Sequence, residues 1–258
     1  MATTPVSILE LASVGTGYGA AESLRRAGEL AVRAEELGYK RLWVAEHHNM
    51  PGIASTAPEV LIAHLGTITS RLRIGSGGVM LPNHAPLAVA ERFGMLEALH
   101  PGRIDLALGR APGTDQVTAM ALGSRGAQRF PDEVSEIGAM LRGESGRLAA
   151  VSSPETTPEV WVLGSSGDGA LIAASIGAAY AHSHSIGPRN TVAALDLYRE
   201  RFVPSALGED PRTLIATGAV AADTEAEAQR QAKPLAVMMA RLRRGTPGKL
   251  LSPEEAEV

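Results

Sequence analysis

Seven times along this chain a short apolar run rich in branched residues gives way to a turn of Gly, Pro, Ser or Asn, and then to an amphipathic stretch of helical length. No other feature limits the fold as much. The runs at 7–13, 41–47, 73–81, 103–110, 159–165, 178–183 and 214–221 read as strands. The stretches 21–37, 58–70, 86–99, 132–141, 168–176, 190–202 and 224–242 carry apolar residues at three- and four-residue spacing and read as helices. Strands that alternate with helices pair in parallel, because each helix carries the chain back to the starting edge. Two helix starts are marked in detail. The second follows Asp223-Thr224-Glu225-Ala226-Glu227, with acidic residues in the first turn where the helix dipole favours them. The stretch 143–158, rich in Ser, Gly, Pro and Thr, has no period and reads as a loop or as a place where chain is missing.

A length of 258 residues suits one large α/β domain, so 1–258 is read as a single unit. The charge balance of 24 Lys+Arg against 28 Asp+Glu leaves a net −4, which lacks the basic footprint of a nucleic-acid binder. No apolar run is long enough to cross a bilayer. The absence of Cys excludes a disulfide framework, thiolate metal ligands and a Cys nucleophile. The first ten residues, MATTPVSILE, show no signal-peptide pattern, and a cytoplasmic location is expected. Aromatic residues are 3% of the chain against 28 Gly, so the core must be built from Ala, Val, Leu and Ile in close contact.

An α/β chain of this kind forms either an open doubly wound sheet or a closed barrel, and the positions of its unusual residues choose between them. His47 and His48 end the second strand, Gly77 and Gly78 interrupt the third, Arg110 ends the fourth, Gly164 to Gly167 end the fifth, and His184 follows the sixth. An open sheet gathers functional residues at one switch point, whereas a barrel collects them around its C-terminal rim. Five successive strands contribute here, which favours a TIM-type (β/α)8 barrel.

Each cluster has a plain structural alternative. His47 at a strand end can move protons near neutral pH, or it can cap the strand by bonding a backbone carbonyl. Gly77-Gly78 inside an otherwise apolar strand leaves room for a flat ligand, or marks a bulge. Gly164-Ser165-Ser166-Gly167 joins a buried strand to a helix start, an arrangement that binds phosphate or serves as a tight turn. Arg110 can hold the same phosphate or pair with Asp115 at the rim. His182 and His184, with Glu46, His47 or His84, could instead form the zinc site of a barrel hydrolase.

Three ordered stretches carry a family resemblance. Residues 41–52 read RLWVAEHHNMPG, residues 74–86 read IGSGGVMLPNHAP, and residues 101–114 read PGRIDLALGRAPGT. Together they resemble the bacterial luciferase-like flavin-dependent monooxygenases, closely over residues 7–120 and more loosely through 160–169 and 190–202. Within that family the chain is most similar to single-chain oxidoreductases of unassigned substrate. The resemblance implies a barrel that binds reduced FMN at its rim, takes the flavin from a separate reductase and uses O2 to oxidise a small molecule. It implies His47 as the catalytic imidazole, Gly77-Gly78 as a non-proline cis peptide beneath the flavin ring, and Arg110 with Gly164, Ser165, Ser166 and Gly167 around the phosphate. His184 would lie near the ring, and Arg129 would be a second phosphate arginine.

Homodimers are common in the resembling family. The nearest rivals are an F420-dependent reductase or dehydrogenase of the same superfamily and a flavin-binding protein without catalysis. One expectation concerns completeness. Seven strand–helix units are found, with 246–258 as a polar tail, so the eighth unit of the barrel is expected to be missing from these residues.

Overall fold

The computed structural model describes residues 4–148, 150 and 156–257. The uncharacterised part of the expected 143–158 loop, residues 149 and 151–155, lies outside the described residues, as does Val258.

All seven expected strands are present: β1 (Ile8–Glu10), β2 (Arg41–Val44), β3 (Arg73–Met80), β4 (Ile104–Gly109), β5 (Glu159–Gly164), β6 (Ala179–Ser183) and β7 (Thr213–Ala216). Every neighbouring pair is parallel, and the order across the sheet is the order along the chain. A sheet whose order never reverses has no switch point, so it curves into a barrel wall. This wall is nearly closed. Among the described residues β1 and β7 are its two edges.

The helices are α1 (Ala20–Glu36), α2 (Pro58–Ile68), α3 (Pro86–Leu99), α4 (Gln116–Ala121), α5 (Phe130–Leu141), α6 (Gly167–Ser175), α7 (Thr191–Arg201) and α8 (Glu225–Arg243). Seven match the expected stretches to within one or two residues at each end. The eighth, α4, was not expected. It has six residues and buries none of them, so no apolar period announces it. Asp115 starts it by accepting the Thr118 amide at 3.0 Å. Thr224 caps α8 in the same way through the Glu227 amide.

Three strands, β1, β2 and β7, end three or more residues before their apolar runs do, β2 closing at Val44. In β1 the chain turns at Ala12, which has φ 49° and whose amide donates to the Glu10 carboxylate. In β7, pairing with β6 ends at Ser183↔Ala216, and beyond it the Gly218 amide turns to the Ser185 hydroxyl instead. A one-sided strand lasts only as long as its single neighbour.

Alternate side chains divide the core in two. Leu42, Val44, Ile74, Ile104, Leu106 and Leu108 face outward under the helices, in one cluster with Ile62, Phe93 and Ile137. Trp43, Ala107, Trp161, Ala179 and Ala181 fill the barrel interior, with Leu163 and Leu214 packed on them. Both tryptophans of the chain are there, in an edge-to-face pair 5.5 Å apart. Below them the N-terminal end of the barrel is plugged by charge. Asp105, fully buried, accepts Arg41 Nε at 2.9 Å, Trp43 Nε1 at 2.8 Å and the Arg73 guanidinium. Glu159 takes Arg41 at 2.8 Å and Arg212 at 3.1 Å.

The expectation of a polar tail over 246–258 is corrected. Leu250 bridges in parallel to Gly15, donating to Val14 O at 2.9 Å and accepting from the Thr16 amide at 3.0 Å. Glu255 accepts the Thr16 hydroxyl, and Glu254 and Glu257 pair with Arg230 and Lys233 of α8. The segment is polar because its side chains tie β1's exit loop to α8, not because it is free of the fold.

Candidate active site at the barrel rim

The C-terminal ends of β2 to β6 converge on one rim. β2 supplies Glu46, His47 and His48 just past its last paired residue. Glu46 has no exposed surface, and four donors satisfy its carboxylate. Its Oε1 accepts His48 Nε2 at 2.7 Å, His84 Nε2 at 2.8 Å and Asn83 Nδ2 at 3.4 Å, and its Oε2 accepts the Met80 amide at 2.9 Å. Burial pushes this carboxyl up, but the bonds from His84, His48 and Met80 outweigh it and hold the group below the usual carboxylate range. One side chain therefore joins the ends of β2 and β3. Thr114, which donates to His48 O at 2.8 Å, adds the exit of β4.

His47 is fixed through its backbone, the amide donating to Ser55 O at 3.1 Å. Its ring is not. Nδ1 is buried without a hydrogen-bond partner, so the strand-capping alternative, in which the imidazole bonds a backbone carbonyl through Nδ1, is not what forms. Burial pushes the imidazole down, with the Glu46 charge opposing, so the ring is neutral at neutral pH.

The Gly77-Gly78 peptide is cis, as the resemblance implies, and the register with β4 also shifts between Gly77 and Val79. Of the two readings from sequence, the irregular pairing of a bulge is the one seen in the register. A Cβ on Gly77 would meet Leu9 and Trp43, and one on Gly78 would meet the Ala107 carbonyl, so neither position accepts a side chain.

Arg110 leaves the end of β4 half exposed, with Nη2 3.8 Å from Asp168 Oδ2 in the first turn of α6. The pairing with Asp115 considered from sequence is not made, because Asp115 caps α4. At the β5–α6 turn, Ser166 is the N-cap residue, yet its side chain caps no amide. Gly164 and Gly169 cross closely: a Cβ on Gly164 would lie 3.1 Å from the Gly169 Cα and 3.1 Å from the Tyr180 hydroxyl. His184 stands after β6 with Nδ1 2.8 Å from Thr191 Oγ1, at the start of α7. Arg129 is exposed and paired with Glu136 at 3.0 Å.

Sequence reasoning brought His47, Gly77, Gly78, Arg110, Gly164, Ser165, Ser166, Gly167 and His184 to one rim; Arg129 is not joined to them by any contact among the described residues. It missed Arg125, which donates from its backbone to Pro82 O at 2.8 Å and from its guanidinium to His84 O and Glu133. It also missed Tyr180. The Tyr180-x-His182 spacing, which sets both side chains on one face of β6, was the available signal. The zinc constellation does not assemble: His182 bonds Tyr180, His184 bonds Thr191, and Glu46 bonds His48 and His84. Among the described residues no three His, Asp or Glu side chains form a metal-ligand group. Among them, too, no helix is long and apolar enough to cross a membrane.

Residues 4–255 match the family described as luciferase-like monooxygenase. A protein of Escherichia coli strain K12 named luciferase-like monooxygenase is 43% identical over 256 residues, covering 97% of this chain and 76% of that protein. The crystal structure of apo-MsnO8 superposes with a TM-score of 0.92 at 38% identity, over 98% of this chain and 76% of that one. At 20% identity the likeness is of fold alone. The oxygenating constituent of 3,6-diketocamphane monooxygenase from Pseudomonas putida, solved in complex with FMN, gives a TM-score of 0.73 over 95% of this chain and 75% of that one.

Proposed function

Because the chain belongs to the luciferase-like monooxygenase family, we propose that it is a flavin-dependent monooxygenase that uses reduced FMN and O2 to oxidise a small organic substrate. The observation that carries this reading is a division of labour on one rim. A buried imidazole nitrogen without a partner, Nδ1 of His47, shares it with a guanidinium that faces an uncapped helix start.

The residues fit FMN. The first amides of α6 and the Arg110 guanidinium suit a phosphate dianion, with the hydroxyls of Ser165 and Ser166 as further donors. Gly164 and Gly167 let the backbone come close to it. Gly77 and Gly78 keep the barrel wall flat where a ring would rest, and His184 borders the same mouth. Arg129 would reach the phosphate only by leaving Glu136.

When bound, reduced flavin supplies the electrons that activate O2 for transfer of one oxygen atom. The protein's own part is to orient, to exclude water and to move a proton. His47 is neutral and has Nδ1 free, so it can take a proton from, or return one to, a group in the mouth. Trp43, Leu163 and the other interior side chains close the barrel beneath, which keeps that exchange away from bulk water. A separate flavin reductase would deliver the reduced cofactor, and the chain would work in the cytoplasm. The exposed apolar side chains of Val60 on α2 and Met95 and Leu99 on α3 suit a homodimer face.

Anaerobic titration with reduced FMN and with F420, followed by admission of air and a panel of substrates, tests the proposal. Binding of FMN with oxygenated product supports it. Binding of F420 alone, or oxidation of the flavin by air with no product and no effect of His47→Ala, overturns it.

A further inference from the structure

Beneath the β5–α6 turn lies a buried chain of three contacts. The Tyr180 hydroxyl is 3.2 Å from Ser166 O and 3.0 Å from His182 Nδ1, and His182 Nε2 is 3.4 Å from Gly187 O. Ser166 is the N-cap of α6, and Gly187 packs so closely on Ser165 that a Cβ there would strike the Ser165 carbonyl. The chain therefore supports both sides of the proposed phosphate turn.

The hydrogens do not add up while the imidazole is neutral. Both ends of the chain are carbonyl oxygens, which only accept. Filling three contacts takes three hydrogens, whereas a tyrosine hydroxyl and a neutral imidazole bring two. If Tyr180 donates to Ser166, His182 Nδ1 must carry the proton and Nε2 has nothing to give Gly187. If Tyr180 donates to His182, Ser166 O loses that hydrogen bond and keeps only the Ala170 amide at 3.4 Å. An imidazolium supplies the third hydrogen and satisfies every contact. His182 has no exposed surface, and a buried charge is costly unless an opposite charge compensates it.

We propose that His182 takes up a proton when a phosphate group binds at the Ser165–Gly169 turn, so that Tyr180 and His182 act as positioning residues whose full set of hydrogen bonds forms only under the bound anion. The inference rests on the phosphate assignment made above. A dianion on the turn offsets the cost of a buried cation, and the cation in return fixes Ser166 and Gly187. The proton comes from the buffer. Gly164 and Ile215, the register neighbours of His182 on β5 and β7, are uncharged. The one ionisable side chain of α6 is Asp168, which turns outward to Arg110. From α7 comes Tyr198, stacked 5.5 Å from Tyr180, while Asp196 and Arg199 are exposed and paired with each other. His184 is held by Thr191, and Arg189 in the connecting loop is exposed.

Calorimetric titration of the protein with FMN and with riboflavin, at about pH 7.5 in two buffers of different ionisation heat, counts the protons. That pH keeps most of a phosphomonoester, with its second pKa near ~6, in the dianionic form. Wild type is expected to take up roughly 0.3–1 proton per FMN and almost none per riboflavin, with FMN affinity falling as pH rises. His182→Gln should bind FMN without the uptake. Tyr180→Phe, which leaves His182 Nδ1 without its partner, should also lose it and serves if the first variant does not fold. Equal uptake for the two flavins, or uptake unchanged in either variant, overturns the coupling. If instead FMN and riboflavin bind equally well and Arg110→Ala changes neither, the phosphate assignment itself falls.

Discussion

Arg110 Nη2 and Asp168 Oδ2 are 3.8 Å apart, the guanidinium at the end of β4 and the carboxylate in the first turn of α6. Asp168 is largely exposed and Arg110 about half exposed, so the pair itself contributes little to stability. Asp168 has opposed effects. Near the helix start it favours α6, yet its charge lies where an anion would bind. Asp168→Asn is expected to raise FMN affinity by about 3-fold while lowering thermal stability by about 0.5 kcal/mol. Arg110→Ala, which removes charged hydrogen bonds, should weaken FMN binding by roughly 10–100-fold. Flavin fluorescence titrations and melting curves measure both.

His47→Ala should bind FMN within about 2-fold of wild type and lose roughly 100-fold or more in turnover, as expected when a positioned acid–base group is removed. Because burial pushes the imidazole down, the acidic limb of the rate profile should fall below the ordinary histidine value of about 6.5. The same shift has a stability consequence. The unfolded chain binds the proton more readily, so stability is full above the unfolded value and declines as pH falls towards the lowered folded one. Rate profiles and melting points over pH, for wild type and His47→Gln, check the two effects separately.

Glu46→Gln should cost about 3 kcal/mol, since a buried carboxylate that two imidazoles and an amide depend on is replaced by a group whose NH2 faces donors. The carboxyl titrates below its usual range in the folded protein. Its stabilising contribution is therefore present above the unfolded carboxylate value and lost as pH falls through the folded one. Acid melting of the variant should be shallower than that of wild type, and denaturant titrations at neutral pH give the cost.

At the opposite end of the barrel, Asp105→Ala removes the common partner of Arg41 and Arg73, two largely buried guanidinium groups, and leaves Glu159 as the remaining carboxylate for both. A loss of about 3–5 kcal/mol is expected. FMN affinity in the surviving folded fraction should be unchanged, because this plug and the rim lie at opposite ends of the strands. Urea unfolding monitored by Trp43 and Trp161 fluorescence is suited to the test, since Trp43 donates to Asp105 itself.

The strands and seven of the helices were legible because each buries a face, and burial leaves a period in the sequence. The six-residue α4 was not legible because it buries nothing. At the rim, strand-end position located His47, Arg110 and the 164–167 turn, since a barrel places strand ends together whatever the side chains are, and Gly77-Gly78 stood out as glycines inside an apolar strand. Partners were another matter. That Arg110 meets Asp168 and not Asp115, that Glu46 takes both His48 and His84, and that Arg125 braces the β3 exit all depend on loop paths across the rim. No spacing within a single strand encodes these. The 246–258 segment was misread for a related reason: its contacts to Val14, Thr16 and α8 are polar and distant in sequence, so composition alone makes it look detached.

The seam between β1 and β7 sets a gradient in how long backbone amides keep their protons. β3 and β4 are hydrogen-bonded on both sides, whereas β1 and β7 each have a neighbour on one side only. Deuterium should therefore enter first at Thr213–Ala216 and Ile8–Glu10, and last at Ile74 and Leu106 on the far wall. The side of the barrel that bears Gly77-Gly78 would thus be the part that stays shut while the seam opens and closes.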